Sequence, residues 1–280
     1  MDRPATATGK RPTATPGSTY RFERFTTALL VDDMFFRADA PGAGDRVPAF
    51  DLPTLDGGRF RSDDLGPLPV LMVFGSRTCP VTESAGPALR ALHAEFAGQV
   101  RFVLVNTREA HPGDVFTQPR STSEKWAHAQ ELRTHHGFTF EVAVDDIDGD
   151  LHRAMTPKPN SAYLLSPTGI IVYRAHWAND ERGLRAALTR VRAGQPPVRG
   201  ASRAMVGPLL RAVGHLPGVV AFAGRGVERD VWRAAAPLAV LGRLSRLFRG
   251  LPTDLRGPAA TVLLLTVAAI ATLAGSLLLR

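Results

Sequence analysis

Two short runs in this chain are apolar at nearly every position: VLMVFG at 70–75, and FVLV at 102–105 within VRFVLVN. A strand with one wet face alternates apolar and polar residues; a strand that is apolar throughout has to be covered on both faces. That requirement calls for a sheet with helices on either side and excludes a half-exposed meander.

The segments around the two runs supply the rest of such a fold. Residues 41–65 read as a hairpin whose turn is Asp56-Gly57-Gly58, since Gly tolerates positive φ. Residues 82–97 read as a helix with Leu89, Leu92 and Phe96 on one face. Residues 121–136 read as a second helix, capped by Ser121 or Ser123. FEVAVDD (140–146) is a third strand. SAYLLSPTGIIVYRAHW (161–177) holds two more around a Ser166–Gly169 turn, and 180–193 closes as a helix. This order of strands and helices predicts an α/β thioredoxin-like fold, a central mixed sheet flanked by helices. No internal repeat is present.

Outside this domain, residues 1–19 are rich in Pro, Thr, Ala and Gly and are expected to form a disordered tail, and residues 20–40 an extension of the domain. The domain itself is expected over 41–195. The net charge of +8 is concentrated beyond it: residues 196–257 hold ten Arg against Glu228, Asp230 and Asp254, a net of +7. A near-neutral main domain argues against a nucleic-acid partner, and the basic stretch suits membrane lipid. It is expected to be an Arg-rich linker with an amphipathic helix over 238–251. Arg243, Arg246 and Arg249 lie on one side of that helix, and Leu241, Leu244, Leu247 and Leu251 on the other. The uncharged run from Ala259 to Leu279 is long enough to cross a bilayer, so 258–280 is expected to be a single-pass transmembrane anchor. Arginines before the span place the main domain on the cytoplasmic side. The N-terminus has no apolar run after its charges and does not read as a secretory signal.

The one cysteine, Cys79, follows the buried run at 70–75 and precedes Pro80, at the expected start of a helix. Unpaired N–H groups and the positive end of the helix dipole there favour the thiolate, the nucleophilic form. With no second cysteine, an oxidised Cys79 has to be reduced by an external thiol, either thioredoxin or a low-molecular-weight thiol, and a reducing compartment is expected. No bound cofactor is expected. His135-His136 lacks a partner at a metal-ligand spacing, so no metal is expected either.

Phe74-Gly75-Ser76-Arg77-Thr78-Cys79-Pro80 resembles the iodothyronine deiodinase motif F-G-S-C-T-U-P, where U is selenocysteine. Arg108-Glu109-Ala110-His111-Pro112-Gly113-Asp114 resembles that family's E-E-A-H-P-S-D. The resemblance covers roughly 45–190 and lies within the thioredoxin-like (AhpC/TSA, redoxin) superfamily. It implies that Cys79 stands in for selenocysteine, that Ser76 and Thr78 form a hydroxyl route from it, and that Glu109 and His111 deliver the proton. Family members also dimerise, which puts a homodimer among the implied partners. The peroxiredoxin pattern P-x-x-x-T-x-x-C matches only in part, with Ser76 in the Thr place and Met72 in the Pro place.

Three departures argue against thyroid hormone as the small-molecule substrate: Arg77 replaces the family's extra Cys, Asn106 a Tyr, and Pro119 a His. Before the fourth strand, Pro159 is the candidate for a cis proline facing the thiol, although counting back from the Ser166–Gly169 turn puts Asn160 there. Two functions remain open at this point. One is a membrane-tethered single-cysteine thiol oxidoreductase, acting by reductive dehalogenation or peroxide reduction. The other is a non-catalytic thioredoxin-fold module that binds a membrane partner.

Overall fold

The computed structural model describes residues 20–202 and 204–278; the tail expected at 1–19 lies outside the described residues. After helix α1 (Thr27–Met34), the chain forms a small antiparallel hairpin of β1 (Asp51–Pro53) and β2 (Arg59–Arg61). Gly57 takes φ +81 in its turn, a conformation that favours glycine.

The central sheet contains β3 (Val70–Gly75), β4 (Arg101–Asn106), β5 (Glu141–Val144), β6 (Ala162–Leu165) and β7 (Ile171–Ala175), in the order β5-β4-β3-β6-β7. β3, β4 and β5 run parallel, and β6 and β7 antiparallel. The helices between them are α2 (Pro80–Phe96), α3 (Thr122–His136), the short α4 (Asp150–Ala154) and α5 (Glu181–Arg192). This is the thioredoxin-like α/β fold.

The apolar run of β3 is explained by its position. Leu71 and Val73 face Leu89, Leu92 and Phe96 of α2 together with Leu104. Met72 and Phe74 face Phe60 of the hairpin, Val103 and Tyr163 on the other side. Both faces are covered, so no position in the run has access to water. α3 begins at Ser121, whose side chain accepts from Glu124 N, and ends at Gly137 in the left-handed conformation.

The C-terminal third differs from the expected linker. It forms α6 (Val206–Ala223), α7 (Arg225–Ala234), α8 (Ala236–Ser245), a 3-10 turn (Arg246–Phe248) and α9 (Thr253–Leu278). The amphipathic helix expected over 238–251 stops at Ser245, and Leu247 is 69% exposed. The physical reason lies in α6, which is apolar around most of its circumference and so has to be buried on several sides. It packs between α2 and the pair α8 and α9. Its two titratable side chains are satisfied on docking: Arg211 donates to Asn179 O (2.7 Å), and His215 Nε2 lies 2.7 Å from Asp254 Oδ1. Gly214 of α6 and Gly257 of α9 meet at the crossing, where a Cβ on either would collide with a backbone carbonyl of the other helix.

α9 is long and apolar enough to cross a membrane, and Val262, Leu265, Ile270 and Leu273 stand bare on it. α6 also qualifies by length and composition, but much of its surface is buried within the protein.

Candidate active site

Gly75 to Cys79 turn the chain from β3 into α2, with Cys79 at the N-cap and Pro80 at the first helical position. The turn is pinned to the loop after β4. Thr78 donates twice to Glu109 Oε2, from its backbone N (2.9 Å) and from Oγ1 (2.7 Å). Thr78 Oγ1 accepts from His111 N (3.1 Å), and Ser76 Oγ accepts from Ala110 N (3.2 Å). Gln118 clamps the backbone of Glu109 on both sides, accepting from its N (2.9 Å) and donating to its O (2.7 Å). Ser76, Thr78 and Glu109 therefore form one network, and the carboxylate at its centre is 0% exposed.

Glu109 and His111 do not pair with each other. Glu109 Oε1 lies 3.1 Å from Nδ1 of His128, a histidine outside both sequence motifs. Residues 109 and 111 are close in sequence, but the loop turns their side chains apart. His128 comes from the first turns of α3, so its spacing from Glu109 carries no local pattern. The His111 ring packs on Phe25 (centroids 4.3 Å), and its buried Nδ1 has no hydrogen-bond partner among the described residues. Burial pushes His111 down to about 4, so it is neutral at physiological pH.

The thiolate expected at Cys79 is also corrected. Cys79 is 2% exposed, and burial pushes its thiol up to about 11. The N–H groups of Val81 and Thr82 and the Thr82 hydroxyl pull the other way, but they do not outweigh desolvation. The covering groups come from far along the chain: Met34 of α1 and Ala212 of α6 pack beside Cys79 and Trp177. Between them lies an apolar cavity of about 80 Å³, lined by Cys79, His111, Asp33, Trp177 and residues of α6 and α8.

Beside this cavity sits a buried charged group that the sequence gives no sign of. Lys158, 0% exposed, donates from Nζ to Asp33 O (2.9 Å) and stands 3.2 Å above the Trp177 ring. Arg108 Nη2 donates to Asp33 Oδ1 (3.1 Å). Burial lowers Lys158 to about 7 and raises Asp33 to about 6.

No cis peptide bond occurs among the described residues, so Pro159 is not the expected cis proline. Asn160 holds the place opposite the thiol turn. Its Nδ2 donates to Phe74 O (3.0 Å) and Thr82 Oγ1 (3.0 Å), and its Oδ1 accepts from Ala178 N (3.0 Å). Thr82 Oγ1 also accepts from Ser76 N (3.4 Å).

Folding brings Glu83 to His135 and His136, with ligand atoms all within 4.8 Å of one another. Arg77 is bonded to Glu83 and lies 3.1 Å from His135 Nδ1, while the buried His136 Nε2 has no hydrogen-bond partner among the described residues. Arg77 and His135 both engage the Glu83 carboxylate, so two of the three candidate ligands already belong to an ion-paired network.

Among solved structures, an uncharacterized conserved protein from Geobacillus kaustophilus is similar at 18% identity and TM-score 0.44, covering 59% of this chain and 89% of its own. A secreted disulfide oxidoreductase from Mycobacterium tuberculosis is similar at 19% identity and TM-score 0.35, covering 44% and 80%. A thiol-disulfide oxidoreductase from Bacteroides fragilis is similar at 18% identity and TM-score 0.34, covering 46% and 89%. Likenesses this distant say nothing of what the chain acts on. No curated protein matches the sequence. Residues 43–175 match the AhpC/TSA family, and the domain they form has the thioredoxin-like fold.

Proposed function

We propose that this chain is a membrane-tethered, single-cysteine thiol oxidoreductase that reduces an apolar electrophile at Cys79, with an external thiol as reductant. The observation that carries this reading is that Cys79 and His111 line one apolar cavity, on a turn braced by the buried Glu109. A water-poor cavity admits an apolar organic hydroperoxide or aryl halide more readily than a charged peptide. α9 would hold the domain at the bilayer, and the arginines before it favour a cytoplasmic domain.

The chemistry balances with two external thiols. With a hydroperoxide, the Cys79 sulfur attacks the terminal oxygen, the O–O bond breaks, and an alcohol leaves with the thiol's proton. Cys79 is then a sulfenic acid. One external thiol displaces water from it to give a mixed disulfide, and a second releases Cys79 as the thiol, leaving the external pair oxidised. With an aryl halide, the resemblance to deiodinases implies that sulfur takes the halogen while the carbon takes a proton. The same two thiols then restore Cys79 and release hydrogen halide. His111, neutral and unpartnered at the cavity wall, is the residue placed to handle the proton.

A non-catalytic binding module is the second reading, and the covered sulfur with its raised pKa favours it. Turnover of cumene hydroperoxide and of an iodinated phenol by the full chain in detergent, with excess dithiothreitol, separates the two readings. Turnover of either that disappears in Cys79→Ser supports the enzyme. No turnover of either, or equal turnover in the variant, leaves the binding module.

A further inference from the structure

A second cavity, of about 320 Å³, opens beside the foot of α9. It is walled by α6 from Gly214 to Val219, by the 3-10 turn, and by the first turn of α9 at Thr253 and Arg256. Four guanidinium groups line it, from Arg77, Arg246, Arg249 and Arg256. Glu83 is the one carboxylate among the described lining residues, and Arg77 already holds it. The Arg246 and Arg249 side chains have no hydrogen bond or ion pair among the described residues. Arg256 donates only to the carbonyls of Leu251 (2.9 Å) and Arg249 (3.1 Å).

Several arginines elsewhere in this protein are paired with carboxylates, among them Arg24 with Asp230, Arg59 with Asp51, Arg185 with Glu181, and Arg243 with Glu228, while Arg174, Arg190 and Arg211 donate to backbone carbonyls. Arg246, Arg249 and Arg256 line one cavity with no carboxylate bonded to any of them among the described residues, and an anion there relieves the repulsion between like charges. The geometry selects the kind of anion. Guanidinium forks suit the several oxygens of a phosphate, and the first turn of α9 reaches the cavity at Thr253 and Arg256, its own carboxylate, Asp254, being held by His215 and Ser84.

We infer that this cavity binds a phosphate group through Arg246, Arg249 and Arg256. The group belongs either to an anionic phospholipid headgroup or to a soluble phosphate. The inference goes beyond the reading of Cys79 and does not rest on it.

The test uses the full chain in detergent, with Arg246→Gln/Arg249→Gln as the variant. Arg243→Gln, whose guanidinium is held by Glu228, is the control. Native mass spectrometry after addition of phosphatidylglycerol or phosphatidylcholine reads lipid retention, and thermal shift against inorganic phosphate reads the soluble ligand. Retention of phosphatidylglycerol over phosphatidylcholine that falls about tenfold or more in the double variant, but not in the control, supports the site with a headgroup in it. A phosphate-dependent rise in Tm in wild type and control that is absent from the double variant supports the site with a soluble occupant. Equal Tm values of all three proteins without ligand show that the substitutions leave the fold intact; if the double variant unfolds, Arg256→Gln is read in its place. Binding of neither probe, or binding that the substitutions leave unchanged, overturns the inference.

Discussion

Phe222, near the C-terminal end of α6, holds its ring 3.9 Å from the guanidinium carbon of Arg77, two residues before the thiol. The same ring packs on Phe116 (4.9 Å), which stacks on His128 (3.9 Å), the partner of Glu109. The backbone N–H groups of Val115 and Phe116 also donate to Ala223 O, at 3.0 and 3.2 Å. The end of α6 therefore grips the thiol turn and the Glu109 loop together.

Phe222→Ala removes a cation–π contact and an aromatic pair, together worth about 1–2 kcal/mol. Opening of the helical cover over Cys79 should become about tenfold more frequent. The check is the rate of Cys79 alkylation by iodoacetamide in the native full chain at pH 8, which should rise by a similar factor. An unchanged rate would show that the cover is held elsewhere.

Cys79 should also label with an unusual pH profile. A thiol at about 11 is ionised in only about one molecule in ten thousand at pH 7, so the native rate should climb about tenfold per pH unit well past pH 9. The urea-unfolded chain should level off near the ordinary value of about 8.5. Because the folded pKa lies above the unfolded one, this stabilisation is complete below about pH 8.5 and is lost as pH rises toward about 11. Cys79→Ala should lack that alkaline loss, which urea melts at pH 8 and pH 10 would show.

His111 titrates in the opposite sense. Its folded pKa of about 4 lies below the ordinary imidazole value of about 6.5, so its contribution to stability is present above about pH 6.5 and is lost as pH falls toward 4. His136 and His176 are lowered too and add to the same acid loss. His111→Phe should therefore reduce proton uptake on unfolding near pH 5 by about one proton and leave the rest. Denaturation midpoints between pH 4 and 7 measure this, and an unaltered slope would remove His111 from the account.

Glu109→Leu should destabilise the fold by about 1–3 kcal/mol, because it leaves the Thr78 N–H and hydroxyl and the His128 ring nitrogen without their buried partner. Chemical denaturation in detergent reads the loss. His128→Phe tests the same link from the other side, and the two losses should fall short of adding in the double variant.

Much of the central domain is legible in the sequence because its cues are local. The run at 70–75, the Ser121 cap and the glycine at 57 each state a backbone requirement within a few residues. The electrostatics of Cys79 are not legible in this way. A helix N-terminus favours the thiolate, and that cue is local; the burial that overrides it comes from Met34 and Ala212, on elements remote in sequence. The Glu109–His128 pair is hidden for the same reason, since a nearer histidine at 111 satisfies the motif. For 206–223 a cue is present: VGPLLRAVGHLPGVVAFA is apolar on nearly every side, which marks a buried helix rather than part of a linker.

The carboxamide of Asn160 has a consequence for the sulfur itself. Ala178 N–H can only donate, so Oδ1 has to face it and Nδ2 has to face Thr82. With Asn160 and the Ser76 N–H both supplying hydrogens to Thr82 Oγ1, its lone pairs are occupied and its own hydrogen has to point elsewhere. Thr82 is also one of the groups that pull the Cys79 pKa down against burial. An amide that never touches the thiol thereby frees the Thr82 hydroxyl hydrogen to turn toward the sulfur.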